Sequence, residues 1–244
     1  MHSQGRIVLP TLVGFALSSL LFGGCGADSD LGVPTASIEP GSDSTNASSD
    51  GGVGPVELTA QEPSTESPAE PPVNLHPEVL MRTSMGDIRI RLNADKAPQT
   101  VENFLQNYVE RGFYNRTIFH FVESGYMIAG GGFSTEREAK ETRMSVRNES
   151  HHGLSNRRGT IAMARNPDFA DSATSQFFIN LADNSQLDHQ PNEDEVANGY
   201  CVFGEIIEGM EVVDQIAAVE VEDIKPFEKT PVTPIVIESV ERLD

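Results

Sequence analysis

The chain has 244 residues, 38% hydrophobic and 22% charged, which is too polar for a protein that crosses a membrane many times and apolar enough for one buried core. Its 37 acidic residues against 17 Lys and Arg leave a formal charge of −20 and argue against nucleic acid as a partner, because phosphate recognition needs a basic face. Two cysteines, Cys25 and Cys201, are too few for a disulfide-stapled fold or a cysteine zinc site.

Residues 1–24 read as a signal peptide. A short polar start is followed by an apolar run from Ile7 to Phe22, then Gly23-Gly24-Cys25. That run is at or below the roughly 17–25 apolar residues a spanning helix needs, and it ends in small residues. Residues 25–78 form an acidic tether rich in Ser, Pro, Thr and Gly, with no Lys or Arg. Such a composition cannot bury enough apolar surface to offset chain entropy, so a solvated, disordered spacer is expected.

The texture changes at residue 79, where a domain spanning 79–244 begins. Val79–Thr83 and Asp87–Leu92 read as a hairpin, with Ile88, Ile90 and Leu92 alternating with Arg89 and Arg91. Pro98 opens a helix carrying Val101, Phe104, Leu105, Tyr108 and Val109 at helical spacing, and Gly112 closes it. Short apolar runs follow at Thr117–Val122, Gly159–Ala164, Gln176–Leu181 and Tyr200–Ile206. A second helix is expected at Met210–Ala218 and a last strand at Pro234–Val240. Many short strands with two helices give a mainly β fold, a barrel or sandwich capped by helices.

Several segments then carry a resemblance. They are Thr117-Ile118-Phe119-His120-Phe121-Val122, Gly125-Tyr126-Met127 with Gly130-Gly131-Gly132-Phe133, Arg158 to Arg165, Asp171 to Asn180, Tyr200 to Gly204, and Glu208-Gly209-Met210. In this order and spacing they resemble the cyclophilin family of peptidyl-prolyl isomerases, in its compact bacterial form. The resemblance implies an eight-stranded antiparallel barrel capped by two helices, with proline-containing peptides or unfolded proteins as partners, no cofactor and no metal. It also implies a monomer. Gly23-Gly24-Cys25 is similar to a bacterial lipoprotein signal, which implies acylated Cys25 as the new N-terminus and a place in the cell envelope, facing periplasm or exterior. A plain signal peptide with an incidental cysteine is the alternative.

The resemblance assigns site residues one by one. Tyr126, Met127, Phe178 and Leu187 stand at the apolar slot that holds the proline ring. Gln176 matches the glutamine near the substrate backbone. Ala164 and Arg165 match a pair that meets the peptide through main-chain groups, and Tyr200 matches a rim position. The catalytic end departs from the pattern. Phe121 stands where the family has the arginine that donates to the proline nitrogen, and Ala129 where it has the glutamine that braces that arginine. Gln186 replaces an aromatic residue beside Leu187. Arg165 and Arg116 are the cations nearest in the motif.

Two functional readings follow. One is an extracytoplasmic, membrane-tethered isomerase of reduced activity that assists folding. The other is a proline-peptide binding module without catalysis. A structural envelope protein with an unused groove ranks last, because Met127, Gln176, Phe178 and Leu187 are present. His151-His152 and the acidic run Asn192–Asn198 read as solvated loops rather than cation sites, since neither has ligand spacing. Cys201 reads as an inert thiol between apolar neighbours.

Overall fold

A computed structural model describes residues 74–191 and 198–243. The signal peptide, Cys25, nearly all of the tether and most of the 192–198 loop therefore lie outside the described residues. Strands β1 (Glu78–Thr83) and β2 (Gly86–Leu92) form the expected hairpin. They are followed by β3 (Thr117–Glu123), β4 (Met127–Ser134), β5 (Thr160–Met163), β6 (Phe177–Asn180), β7 (Val202–Glu208), β8 (Val221–Ile224), β9 (Phe227–Pro231) and β10 (Ile235–Arg242). Eight of them close into an antiparallel barrel in the order β1-β10-β3-β4-β6-β5-β7-β2, while β8 and β9 make a separate hairpin.

Helix α1 (Pro98–Glu102) and helix α2 (Met210–Ala217) complete the fold. The first helical segment is longer than α1 alone. It continues over Asn103–Val109 with the wider π spacing, where the Glu110 amide donates to the Leu105 carbonyl five residues back. Phe104, on this segment, packs against Tyr114 at 5.2 Å and Phe203 at 5.1 Å. Val213 and Ile216 of α2 join the same barrel core, with Met81, Ile88, Ile90, Phe119, Ile128, Phe177 and Ile179.

The start of α1 is held by a residue distant in sequence. Ala97 at its N-cap offers no side-chain acceptor, so the first amides need another partner. The buried Glu149 carboxylate supplies it, accepting from the Gln99 amide at 3.2 Å, the Thr100 amide at 2.8 Å and the Thr100 hydroxyl at 2.7 Å. Negative charge there also complements the helix dipole. Glu149→Ala is expected to lower unfolding stability by about 2–3 kcal/mol, because it strands buried donors. Urea unfolding of the variant checks this.

β4 forms despite Gly130-Gly131-Gly132, a poor strand sequence. Its glycines are required by close approach. A Cβ on Gly131, whose φ is +81°, would stand 2.7 Å from the Phe177 ring.

Candidate functional site

Five barrel strands are buried on both faces at one place. Registers pair Phe121 of β3 with Ala129 of β4, Ala129 with Phe178 of β6, Phe178 with Ala162 of β5, and Ala162 with Val202 of β7. Paired residues share a face, so these five make one row across the outside of the barrel. Met127 and Leu187 complete a buried apolar cluster with this row, and Tyr126, Leu154, Ala164 and Tyr200 pack against it. It is separate from the barrel core, which takes the intervening residues Ile128, Ile161, Ile179 and Phe203.

Phe121 reaches this face through a bulge. From Phe119 to Phe121 β3 advances two residues while β4 advances one, from Gly130 to Ala129. The extra residue shifts the alternation, so Phe119 and Val122 both join the core while Phe121 turns outward. The extra residue is His120, whose ring lies 4.8 Å from Phe133 and 6.1 Å from Phe227. Burial pushes its pKa down to about 4, so it is neutral at pH 7 and serves packing rather than proton transfer.

The structure brings the sequence-derived slot residues together. Tyr126, Met127, Phe178 and Leu187 share the cluster with Phe121 and Ala129. Tyr200 meets Phe178 edge-on at 5.6 Å. Burial raises the Tyr126 and Tyr200 phenols above their usual range, with Arg165 opposing the rise at Tyr200. Gln176 is partly buried and lies over Gly132, where a Cβ would stand 2.5 Å from its Cγ. Its carbonyl accepts the Ala164 amide at 2.9 Å. Glycine at 132 therefore makes the space that Gln176 occupies.

Arg165 serves the loops. Its Nε donates to the Gly199 carbonyl at 2.8 Å, and one terminal nitrogen donates to the Asn166 and Pro167 carbonyls, each at 2.9 Å. The guanidinium also stacks over Tyr200 at 4.8 Å. These contacts commit the group to tying two loops together beside the rim. Arg116 is exposed just before β3, five residues and roughly 15 Å along the strand from Phe121. A cation that sequence reasoning missed is nearer. Lys229 of β9 stands 5.9 Å from the Phe121 ring centre and pairs with Glu123 at 2.5 Å. Its signal in the sequence is absent, since it comes from a separate hairpin more than 100 residues away.

Also missed was a buried amide network behind the slot. Asn184 donates to the Tyr126 carbonyl at 2.9 Å and to Asn180 at 2.8 Å; Asn180 donates to Asn156 at 3.2 Å, and Asn156 to Asp188 at 3.0 Å. It brackets the turn bearing Leu187, whose carbonyl accepts the Tyr200 amide at 2.9 Å. Cys201 is buried beside Thr100, and burial pushes its thiol up to about 11, as an inert thiol requires. His151 and His152 sit ring against ring at 4.1 Å, with no group of three potential metal ligands among the described residues.

A closed barrel with an apolar outer row, flanked by main-chain groups and a rim glutamine, has the arrangement of a prolyl-peptide isomerase. Comparison with known proteins agrees. The family model described as "Cyclophilin type peptidyl-prolyl cis-trans isomerase/CLD" matches residues 78–242. Peptidyl-prolyl cis-trans isomerase A of Dickeya dadantii is 51% identical over 161 residues, covering 66% of this chain and 82% of that protein. Peptidyl-prolyl cis-trans isomerase B of Escherichia coli is 47% identical over 162 residues, covering 66% of this chain and 97% of that protein. A cyclophilin-type isomerase of Cryptosporidium parvum, solved in the presence of the dipeptide Ala-Pro, superposes with a TM-score of 0.56 at 25% identity, over 68% of this chain and 99% of that one. The chain belongs to the cyclophilin-type peptidyl-prolyl cis-trans isomerases.

His120 gives this site a pH signature. An unfolded histidine binds its proton near pH 6.5, the folded one only near 4. Between those values the unfolded chain holds more protons, so stability falls as pH drops from about 6.5 towards 4, by on the order of 3 kcal/mol in all. The urea midpoint should decline across that window in the wild-type chain. His120→Phe, which keeps an aromatic ring against Phe133, should remove most of the slope.

Proposed function

We propose that this cyclophilin-type domain acts on proline-containing peptides or unfolded chains outside the cytoplasm, with turnover well below that usual for its family. The observation that carries the reduced rate is Phe121 directly opposite Ala129. Rotation about the bond before proline breaks amide resonance, against a barrier of about 18–20 kcal/mol. A catalyst holds the ring and flanking carbonyls and donates a hydrogen bond to the nitrogen as it becomes pyramidal. Only contacts stronger in the twisted state speed the reaction. The apolar row can hold a ring, and Gln176 and the 164–165 main chain can meet the peptide. Phenylalanine cannot donate, and alanine cannot brace a donor. Loss of one such donor typically costs about 10²–10³ in rate.

A second reading keeps the fold as a non-catalytic binder of proline peptides. It is favoured by the commitment of Arg165 to three carbonyls, which removes the cation that motif reasoning placed nearest. An isomerisation assay separates the two. The wild-type kcat/KM is expected to be about 10²-fold below that of a family member with arginine and glutamine at these positions. Phe121→Arg alone should restore part of the rate, and F121R combined with A129Q more than the product of the single effects, because paired groups act as a unit. Melting of each variant controls for lost packing. A wild-type rate equal to that of ordinary relatives overturns the reduced-activity reading.

The location rests on the sequence. Gly23-Gly24-Cys25 supports cleavage before Cys25 and acylation of its sulfur, with the acidic segment spacing a monomeric domain from the membrane. Mass spectrometry of the membrane fraction should find a lipid-modified N-terminal peptide beginning at Cys25. An unmodified chain, starting elsewhere and free in the soluble fraction, is the result that sinks it.

A further inference from the structure

Strand β3 borders the slot as well as the apolar row. Its registers set Phe121 opposite Ala129 and Glu123 opposite Met127, and Ala129 and Met127 both belong to the outer apolar cluster. Phe121 and Glu123, two residues apart, therefore lie on the same outer face of β3. The β8–β9 hairpin is fixed beside them by Phe227, whose ring meets Phe133 at 4.8 Å and His120 at 6.1 Å. From this hairpin Lys229 reaches both residues: its ammonium pairs with the Glu123 carboxylate at 2.5 Å and lies 5.9 Å from the centre of the Phe121 ring. The Lys229 backbone has φ +50°, a left-handed conformation that lysine disfavours and that glycine or asparagine adopts readily. Its amide donates to the Asp223 carboxylate at 2.9 Å, which holds that turn without help from the lysine side chain. The turn therefore does not explain a long cationic side chain at this position, whereas the place its ammonium reaches does.

We propose that Lys229 is a specificity-determining residue of the peptide site, selecting proline peptides that carry a carboxylate side chain two or three residues from the proline. This rests on the reading of the slot as the peptide site. The row sets the spacing. Phe178, at the slot, and Phe121, beside the ammonium, stand two strands apart, roughly 10 Å between backbones. An extended peptide covers that span in about three residues. The Lys229 and Glu123 side chains are 38% and 33% exposed, and an ion pair so exposed is held weakly. An entering carboxylate can thus share the ammonium or take it. Glu123 keeps Lys229 on this edge and tempers its attraction for acids. Over the molecule as a whole the net charge of −20 disfavours acidic peptides, so selecting one requires a local cation.

The test titrates four blocked peptides into the full chain, at low and high salt, and follows amide shifts at Met127, Phe178 and Leu187. Two carry glutamate, Ala-Ala-Pro-Ala-Glu and Glu-Ala-Ala-Pro-Ala, and their twins carry glutamine in its place. One glutamate peptide should bind the wild type about 2–5-fold more tightly than its twin at low salt, the range an exposed ion pair supplies, and the gap should close at high salt. Lys229→Met removes the charge and keeps a long stem beside Phe121, and its ratio should fall to one or below. If K229M does not fold, Lys229→Asn, which suits left-handed backbone, carries the same comparison. Glu123→Gln, which releases the ammonium, should widen the ratio. A change in fold stability alone moves both twins alike, so the ratio reports the charge. A wild-type ratio no greater than one for both pairs, or equal ratios in wild type and K229M, overturns the role of Lys229 while leaving the peptide site standing. Absence of shifts at the slot with all four peptides, in every folded protein, removes the peptide site and the role of Lys229 together.

Discussion

Closure of the barrel is the constraint on which the rest depends. Eight strands with no free edge must place one face on the core, and the other face then meets water or a second layer. The two halves of the barrel resolve this differently. β1 and β2 alternate buried with partly or fully exposed residues, and their outer face carries Arg82, Arg89 and Arg91 paired with Glu241, Glu78, Glu208 and Glu205. Such exposed pairs stabilise little, but they keep that face wet. β3, β4 and β6 are buried almost throughout, because their outer face carries the apolar row. A β-bulge at His120 then decides which side chain joins it.

The polar support behind the site is carried by a chain of buried amides. Buried amides gain little unless every member of a network is satisfied, and Asn156, Asn180 and Asn184 are linked through to Asp188. They fix the turn bearing Leu187 and the carbonyl of Tyr126, the two walls of the slot. Arg165 fixes the opposite rim through carbonyls and the Tyr200 face. The scaffold therefore has the rigidity that ligand positioning needs, and the row it supports carries the Phe121 ring opposite Ala129.

What was legible in the sequence follows the same division. The β1–β2 hairpin showed itself because Ile88, Ile90 and Leu92 alternate with charged residues, the mark of a strand with one wet face. α2 was placed within a residue because Val212, Val213 and Ile216 fall on one side. Strands buried on both faces give no alternation, so the runs at β3, β5 and β6 were visible only as apolar segments. β4 hid behind three glycines whose reason is the bulk of Phe119, Phe177, Tyr114 and Gln176 elsewhere in the chain. The slot residues came from motif resemblance. Lys229, Glu149 and the asparagine network did not, because each acts across a long stretch of chain, and local periodicity carries no such information.

The opposition of Phe121 and Ala129 also couples the two positions. Directly paired residues on one face have Cβ atoms roughly 4.5–5.5 Å apart. A guanidinium there beside Ala129, within a row otherwise made of Phe178, Ala162 and Val202, would lose water without gaining a partner of opposite polarity. A glutamine opposite the Phe121 ring would bury an amide against hydrocarbon and compete with the ring for the same space. The polar pair is coherent because each member satisfies the other, and the apolar pair because ring and methyl are complementary in volume. A mixed pair meets neither condition. The polarity at this point of the row is therefore set by two residues jointly.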